Sequence, residues 1–266
     1  MGLSIREQFG ARCDADIAAG YTALVALMQT APASTVGLFN LCAAPATGLD
    51  RSTLASSVAG AVMGVVQYDF EFGTNNIPAM CELIGNASSP LLGLAKFFVS
   101  QSSTCNDILY ADFIASLRNV TYDPAQNMRQ WTYQTCSEFG YFQTTDAAGQ
   151  PFAFGNLVPL SYYNQMCSDA FESPFDVEAS IADTNRRFGG NQLPPFYATN
   201  IAYDNSVVDP WHTLSVQRDV NAASRLFLYN VRGHCAAVSP PQPSDPPSIK
   251  NVRANIAREI NKWVVA

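Results

Sequence analysis

Two short strands near the carboxyl end of the chain constrain its fold more than any other feature. Residues 198–203 and 225–231 are rich in β-branched and aromatic residues, and turn-forming residues follow each segment directly. Asp209 lies on the loop after the first strand, and His234 lies on the loop after the second. The sequence therefore predicts two strands that each deliver a titratable side chain to the loop that follows.

The order of these two residues is typical of one fold. In α/β-hydrolases the catalytic groups follow one another along the chain as Ser, then Asp or Glu, then His, each on a loop after a strand. Asp209 and His234 match the last two positions of that order. We therefore predict an α/β fold in which these strands form the closing half of a hydrolase sheet.

The rest of the chain is predicted to be mainly helical, from about residue 10 to 190. Apolar residues recur at helical spacing, and Pro and Gly separate the segments. The predicted helices span residues 13–28, 50–66, 76–84, 90–99 and 110–117. A last helix is predicted at residues 248–264, where one apolar face would cover the sheet. That face carries Ile249, Val252, Ile256, Ile260 and Trp263.

Composition argues against several classes of function. The 266 residues are 48% apolar and 14% charged, as in a globular protein. A net charge of −7 disfavours nucleic acid and anionic membranes as partners, because both attract a basic surface. No apolar run reaches the roughly 18 residues of a membrane span. The seven cysteines are at least 24 residues apart, so no zinc-type CxxC spacing occurs and no metal site is predicted.

The cysteines leave two interpretations open, buried thiols or disulfides. Glycosylation sequons at Asn86 and Asn119 favour disulfides in an oxidising compartment, and the odd number leaves at least one cysteine outside any internal pair. Residues 1–8 contain no apolar signal-peptide core. We therefore expect this chain to be a fragment of a longer, glycosylated protein that is secreted or lysosomal/vacuolar.

Three motifs resemble a known family. Trp131 begins W-x-Y-Q-x-C-S-E, Asn205 begins N-S-V-V-D-P-W, and Gly233 begins G-H-C. In this order they resemble motifs of the serine exopeptidases that include lysosomal Pro-X carboxypeptidase, dipeptidyl peptidase II and thymus-specific serine protease. Residues 63–68 and 110–113 are also similar to thymus-type members. The resemblance extends from about Cys13 to the end of the chain.

The resemblance implies a fold and a reaction. Residues 1–192 would form a mainly helical cap domain, and residues 193–266 would form the C-terminal α/β-hydrolase segment that carries the acid and the histidine. The implied activity is a serine-type exopeptidase that acts on peptides without a cofactor. Both proline-preferring dipeptidyl peptidases and Pro-X carboxypeptidases share these motifs, so the peptide end that is trimmed stays open. A homodimer is a further expectation.

The implied catalytic residues are His234 and Asp209. An imidazole must activate the serine, and a carboxylate must hold that imidazole in the right tautomer. Asp204 is the rival acid, although its position at a strand end favours an Asx-turn. His212, the other histidine, lies where the family carries small polar residues, and we predict that it is non-catalytic.

The resemblance also implies substrate-binding residues. Trp211 would help to form a pocket for a proline-like side chain, whereas the alternative is a core tryptophan. Trp131, Tyr133, Gln134 and Glu138 would face the active site, with Glu138 as partner of a substrate amine. The alternative for these four residues is helix packing.

The nucleophile is not found in this sequence. A G-x-S-x-G elbow should precede the cap, and none occurs in the 266 residues. Two smaller departures from the family are Ser206 in place of Gly in the acid loop and Ala237 where many relatives carry an acidic residue. The alternative function is therefore a catalytically inactive fragment or pseudoenzyme that binds peptides or a partner chain. An esterase is a weaker alternative, because it leaves the W-x-Y-Q-x-C-S-E motif without a role.

Overall fold

The computed structural model describes residues 2–70, 76–125, 127–145, 156–191 and 198–265. Within these ranges the chain is rich in helix and contains a small parallel sheet. The helices are α1 (Gly2–Phe9), α2 (Ala11–Thr30), α3 (Ser34–Phe39), α4 (Gly48–Gln67), α5 (Ile77–Gly85), α6 (Pro90–Ser100), α7 (Tyr110–Arg118), α8 (Met128–Gln134), α9 (Leu160–Phe171), α10 (Val177–Phe188) and α11 (Pro247–Val265). A π-helical turn (Thr135–Phe139) extends α8, and a 3₁₀ turn (Pro210–Leu214) lies between strands β1 (Ile201–Ser206) and β2 (Ser224–Tyr229).

Helix α4 runs through the core of the helical region. It begins with a capping box, in which the Thr47 side chain accepts from the Asp50 N–H and the Asp50 carboxylate accepts from the Thr47 N–H. The apolar spacing that predicts this helix buries Leu54, Val58 and Val62 completely. The helix prediction for this segment is confirmed. The last turn of α4 reaches the loop that carries His234.

Three disulfides hold the helical region together. Cys13 pairs with Cys81, Cys42 with Cys105, and Cys136 with Cys167, across separations of 68, 63 and 31 residues. Links across loops of this size typically stabilise a fold by about 2–4 kcal/mol each, mainly by restricting the unfolded chain. The disulfide interpretation is confirmed, and Cys235 is the cysteine outside the three pairs.

Strands β1 and β2 are parallel, with Ile201 opposite Ser224 and Ser206 opposite Tyr229. The second strand lies where the sequence predicts it. The first begins three residues later than predicted, and it includes residues 204–206, which the sequence predicts as a turn. The prediction was wrong here because pairing with β2 extends the ladder into this polar segment.

Helix α11 packs on the sheet and forms a second, smaller core. Ile249 and Val252 are buried against Tyr229 of β2. The predicted apolar face is wrong at its far end, where Ile260 is 42% exposed, because the helix runs past the two-stranded sheet. Arg253 donates to the carbonyl oxygens of Ala236, Ala237 and Ser239, so α11 also holds the chain that follows the histidine loop.

Two other expectations concern the whole chain. Among the described residues, no helix combines the length and apolar character that crossing a bilayer requires. The predicted boundary between residues 192 and 193 falls on residues 192–197, which lie outside the described part of the chain. The division into domains 1–192 and 193–266 therefore stays a prediction.

Candidate active site

Asp209 lies at the start of the 3₁₀ turn, directly after β1. Its Oδ1 accepts from the Trp211 N–H at 2.8 Å, so the carboxylate caps this turn. The residue is 8% exposed. Pro210 occupies the start of the turn, where the lack of an N–H leaves no donor unpaired and its fixed φ suits the turn.

His234 meets this carboxylate. Its Nδ1 lies 2.7 Å from Asp209 Oδ2, and its ring is partly buried. An ionised carboxylate only accepts hydrogen bonds, so the proton of a neutral imidazole must sit on Nδ1. Nε2 then carries the lone pair and can accept a proton from a neighbouring group, which is the arrangement that a general base requires.

The histidine loop is attached to the end of α4 through its backbone. Gly233 N–H donates to the Asp69 carbonyl at 3.1 Å, and His234 N–H donates to the Gln67 carbonyl at 2.5 Å. A Cβ on Gly233 would lie 2.1 Å from the Gln67 oxygen, so only glycine permits this approach. The glycine of the G-H-C motif is therefore explained by close packing of two backbones.

Ser206 joins the acid loop to the histidine loop. Its hydroxyl donates to the Arg232 carbonyl at 2.7 Å and accepts from the Val208 N–H at 3.2 Å. The residue is 1% exposed, so both hydrogen bonds are shielded from water. The departure from the family's glycine at this position thus adds a link between the two loops.

The charges around His234 favour its protonated form. The hydrogen bond to Asp209 raises the pKa of His234 above its usual value, while burial opposes this shift and the carboxylates of Asp209 and Asp204 add to it. Burial raises the pKa of Asp204 as well, and the neighbouring Asp209 adds to that shift. Asp204 lies inside β1, so the predicted Asx-turn is wrong, and Asp209 is the carboxylate that contacts the imidazole.

A cavity of about 1010 Å³ opens beside the histidine, between the helical region and the strand loops. Trp211 and Trp131 line it, and their roles in substrate binding stay predictions. An aromatic series connects them: Trp131 contacts Phe139, Phe139 contacts Tyr141, and Tyr141 contacts Trp211 at ring-centroid distances of 5.4, 5.0 and 5.8 Å. Two of the three family motifs thus each contribute a tryptophan to the wall of this cavity.

The other predicted substrate-binding residues lie elsewhere. Tyr133 packs edge-on against Phe171 and Phe175. Gln134 and Glu138 are exposed, and in the described part of the chain none of these three side chains lines the cavity. Of the four residues, Trp131 lines the cavity, and the packing of Tyr133 matches its alternative role in helix packing.

His212 is close to the acid, but in another role. Its Nδ1 contacts the Asp209 carbonyl oxygen, so its imidazole supports the 3₁₀ turn and not the carboxylate. Across the described ranges, no group of three His, Cys, Asp or Glu side chains is arranged to hold a metal ion.

Sequence reasoning missed the end of α4. Gln67 accepts from the Trp211 indole N–H at 2.7 Å through its side-chain oxygen, and the Tyr68 ring lies edge-on to His234 at 6.3 Å. The available signal was the similarity of residues 63–68 to thymus-type members, which carried no assigned role. A long-range contact of this kind has no local sequence pattern.

Comparison with known proteins identifies the family of this chain. The family model described as Serine carboxypeptidase S28 matches residues 2–256. This chain belongs to the serine carboxypeptidase S28 family. The thymus-specific serine proteases of Mus musculus and Homo sapiens are both 31% identical to it, over 268 and 228 residues. These alignments cover 95% and 81% of this chain but 52% and 43% of the relatives, so the chain spans about half the length of the curated S28 relatives it matches.

Proposed function

We propose that this chain supplies the acid and the base of an S28 serine-type exopeptidase that cleaves peptides next to proline. The observation that carries the proposal is the 2.7 Å contact between Asp209 Oδ2 and His234 Nδ1, beside a cavity large enough for a peptide end. Family membership supports the same reaction class.

The proposed mechanism proceeds through an acyl-enzyme. His234 Nε2 takes the proton of a serine hydroxyl, the serine oxygen attacks the scissile carbonyl carbon, and the imidazolium then gives the proton to the leaving amine. Asp209 keeps the imidazole oriented and stabilises its charge. The S28 relatives are about twice as long as this chain, and we propose that the serine lies in the part of the protein that corresponds to the rest of their length.

The proposed substrate pocket is formed by aromatic rings. The indoles of Trp211 and Trp131 and the ring of Tyr141 face one cavity, and flat apolar faces suit the rigid pyrrolidine ring of proline. The backbone N–H of Trp211 also donates to the Asp209 carboxylate, so the pocket wall and the acid belong to one turn. A proline bound against Trp211 would therefore lie close to the catalytic acid, which supports cleavage at a proline-adjacent bond.

The charge of the cavity favours recognition of a peptide amino end. Among the described lining residues, Asp107 is the carboxylate, and none is Lys or Arg. A free α-carboxylate would need a cationic partner, whereas an α-ammonium would be stabilised by a carboxylate. We therefore propose dipeptidyl-peptidase-type trimming in preference to carboxypeptidase-type trimming, with Asp107 in the role that the sequence suggests for Glu138.

The proposal also covers the α/β-hydrolase architecture and the cellular compartment of the protein. We infer that β1 and β2 are the last strands of an α/β-hydrolase sheet and that the helical region is its cap. Three disulfides support a secreted or lysosomal protein. Asn86 and Asn119 are exposed, which supports glycosylation, and the homodimer stays a prediction.

The test is a pair of histidine variants in the full-length protein, assayed for dipeptide release from a substrate with proline at the second position. His234→Ala should lower kcat by at least about 10³-fold, because the base is lost. The matched control is His212→Ala, the other histidine of this chain, which should stay within a few fold of wild type. Activity retained in His234→Ala would contradict the proposed base. If the protein binds the peptide but neither cleaves it nor reacts with a serine-reactive fluorophosphonate, the binding-module alternative is favoured.

A further inference from the structure

Gln67 occupies the point where the helical region, the acid loop and the histidine loop meet. It is the last residue of α4 and lines the cavity beside His234. Its backbone oxygen accepts from the His234 N–H, and its side-chain oxygen accepts from the Trp211 indole N–H at 2.7 Å. One residue therefore contacts both loops of the candidate active site.

The direction of the Gln67 amide is determined by chemistry. An indole Nε1–H can only donate, so the group that faces Trp211 must be the amide oxygen. The NH₂ group then points away from the indole. No described residue accepts a hydrogen bond from this NH₂ group. The amide thus offers up to two donor hydrogens at a cavity wall, where a polar group without a partner is costly once water is displaced.

We propose that Gln67 is a substrate-positioning residue whose side-chain NH₂ donates a hydrogen bond to a backbone carbonyl oxygen of the bound peptide. The inference rests on the proposed function, and it concerns the same cavity. Peptide carbonyls are the acceptors that every peptide substrate carries, and a neutral amide can donate to them at any pH. An amide donor therefore recognises the backbone and leaves the side-chain preference to the aromatic wall.

The contact also ties substrate position to the acid. Trp211 donates through its indole to Gln67 and through its backbone N–H to Asp209. A peptide carbonyl held by the Gln67 NH₂ would therefore lie next to Trp211, whose backbone N–H donates to the Asp209 carboxylate. Correct placement of the scissile bond relative to His234 is the expected benefit, because small displacements in an active site lower the rate strongly.

Two substitutions separate this role from a purely structural one. Gln67→Glu keeps an oxygen that accepts from the Trp211 indole but cannot donate to a carbonyl when ionised. Gln67→Met keeps the length of the side chain and loses both hydrogen bonds. In the full-length protein, the dissociation constant of a proline-containing dipeptide product, measured by calorimetry, should rise about three- to tenfold in Gln67→Met. It should rise at least as much in Gln67→Glu, because a carboxylate repels the carbonyl oxygen.

Activity measurements complete the test. With a peptide substrate, both variants should raise KM more than they lower kcat, whereas the rate of labelling by a small fluorophosphonate without peptide carbonyls should stay within about threefold of wild type. Melting temperatures report whether the variants fold. An unchanged dissociation constant in both variants, or no binding of the dipeptide to wild type, would overturn the inference. If wild type binds the dipeptide through Gln67 but shows no turnover that depends on His234, the proposed function fails and the Gln67 contact stands.

Discussion

The helical region and the strand loops of this molecule are held together in different ways. The helices enclose a large apolar core and carry three disulfides. The loops after β1 and β2 contain none of these disulfides, and hydrogen bonds from Ser206, Gly233 and His234 fix them. The comparison indicates that stability resides mainly in the helical region, while the geometry of the candidate active site depends on a few short polar contacts.

The two regions meet at the end of α4. Backbone carbonyls of Gln67 and Asp69 accept the N–H groups of His234 and Gly233, so the end of a core helix supports a loop that carries none of the three disulfides. Changes in the loops should therefore affect activity before stability, and changes in the helical region should do the reverse. The following predictions test this separation, beginning with the largest effect.

Asp209→Asn should have the largest effect on activity. An amide can direct its NH₂ group at His234 Nδ1, which places the imidazole proton on Nε2 and removes the base from the reaction. We expect kcat of the full-length protein to fall about 10⁴-fold, with little change in thermal unfolding. A loss of less than about tenfold would mean that another carboxylate orients the histidine.

Removal of the Cys13–Cys81 disulfide by a double Cys→Ala substitution should lower stability more than activity. We expect the free energy of unfolding to fall by about 2–5 kcal/mol, because the unfolded chain gains freedom across a long loop. Chemical denaturation measures this loss. Cys235→Ser serves as the control outside the disulfides, with an expected change of about 1 kcal/mol or less. Equal losses in both proteins would remove the distinction between the two regions.

Gly233→Ala should disturb the junction itself. The added Cβ would lie 2.1 Å from the Gln67 carbonyl oxygen, so the histidine loop must move away from α4. We expect a loss of about 1–3 kcal/mol in unfolding free energy, together with reduced activity. Gly64→Ala, in α4, meets no atom within 4 Å and should be neutral or stabilising by up to about 1 kcal/mol. If Gly233→Ala behaves like this control, the backbones do not pack as described.

The pH dependence should show the smallest effect. Because its hydrogen bond to Asp209 raises the pKa of His234, protonated His234 stabilises the fold. This stabilisation is complete below the unfolded histidine pKa of about 6.5 and is lost as pH rises through the higher folded value. Activity should increase over the same upper interval, since the base must be neutral. An NMR titration of the two histidines checks this, and Asp209→Asn should lower the pKa of His234. An unshifted signal in that variant would contradict the assigned cause.

Much of the architecture could be predicted from local pattern. Apolar spacing located α2, α4, α5, α6 and α7 within a few residues, because an amphipathic face must be buried whatever it packs against. Turn chemistry placed the acid and the histidine on loops after two strands. The ends of β1 and the exposure of Ile260 were missed, since strand pairing and the extent of the sheet are properties of the partner segments.

The sequence by itself determined the family, the helical and strand segments, and the two loops that carry Asp209 and His234. Tertiary structure decided that Asp209 and not Asp204 contacts the imidazole, and that Trp131 but not Tyr133 reaches the cavity. It also decided that Gln67 meets Trp211 across 144 residues of chain. The physical reason is range: helix periodicity and turn preferences act over a few residues, whereas a hydrogen bond between distant side chains exists only after the core has packed.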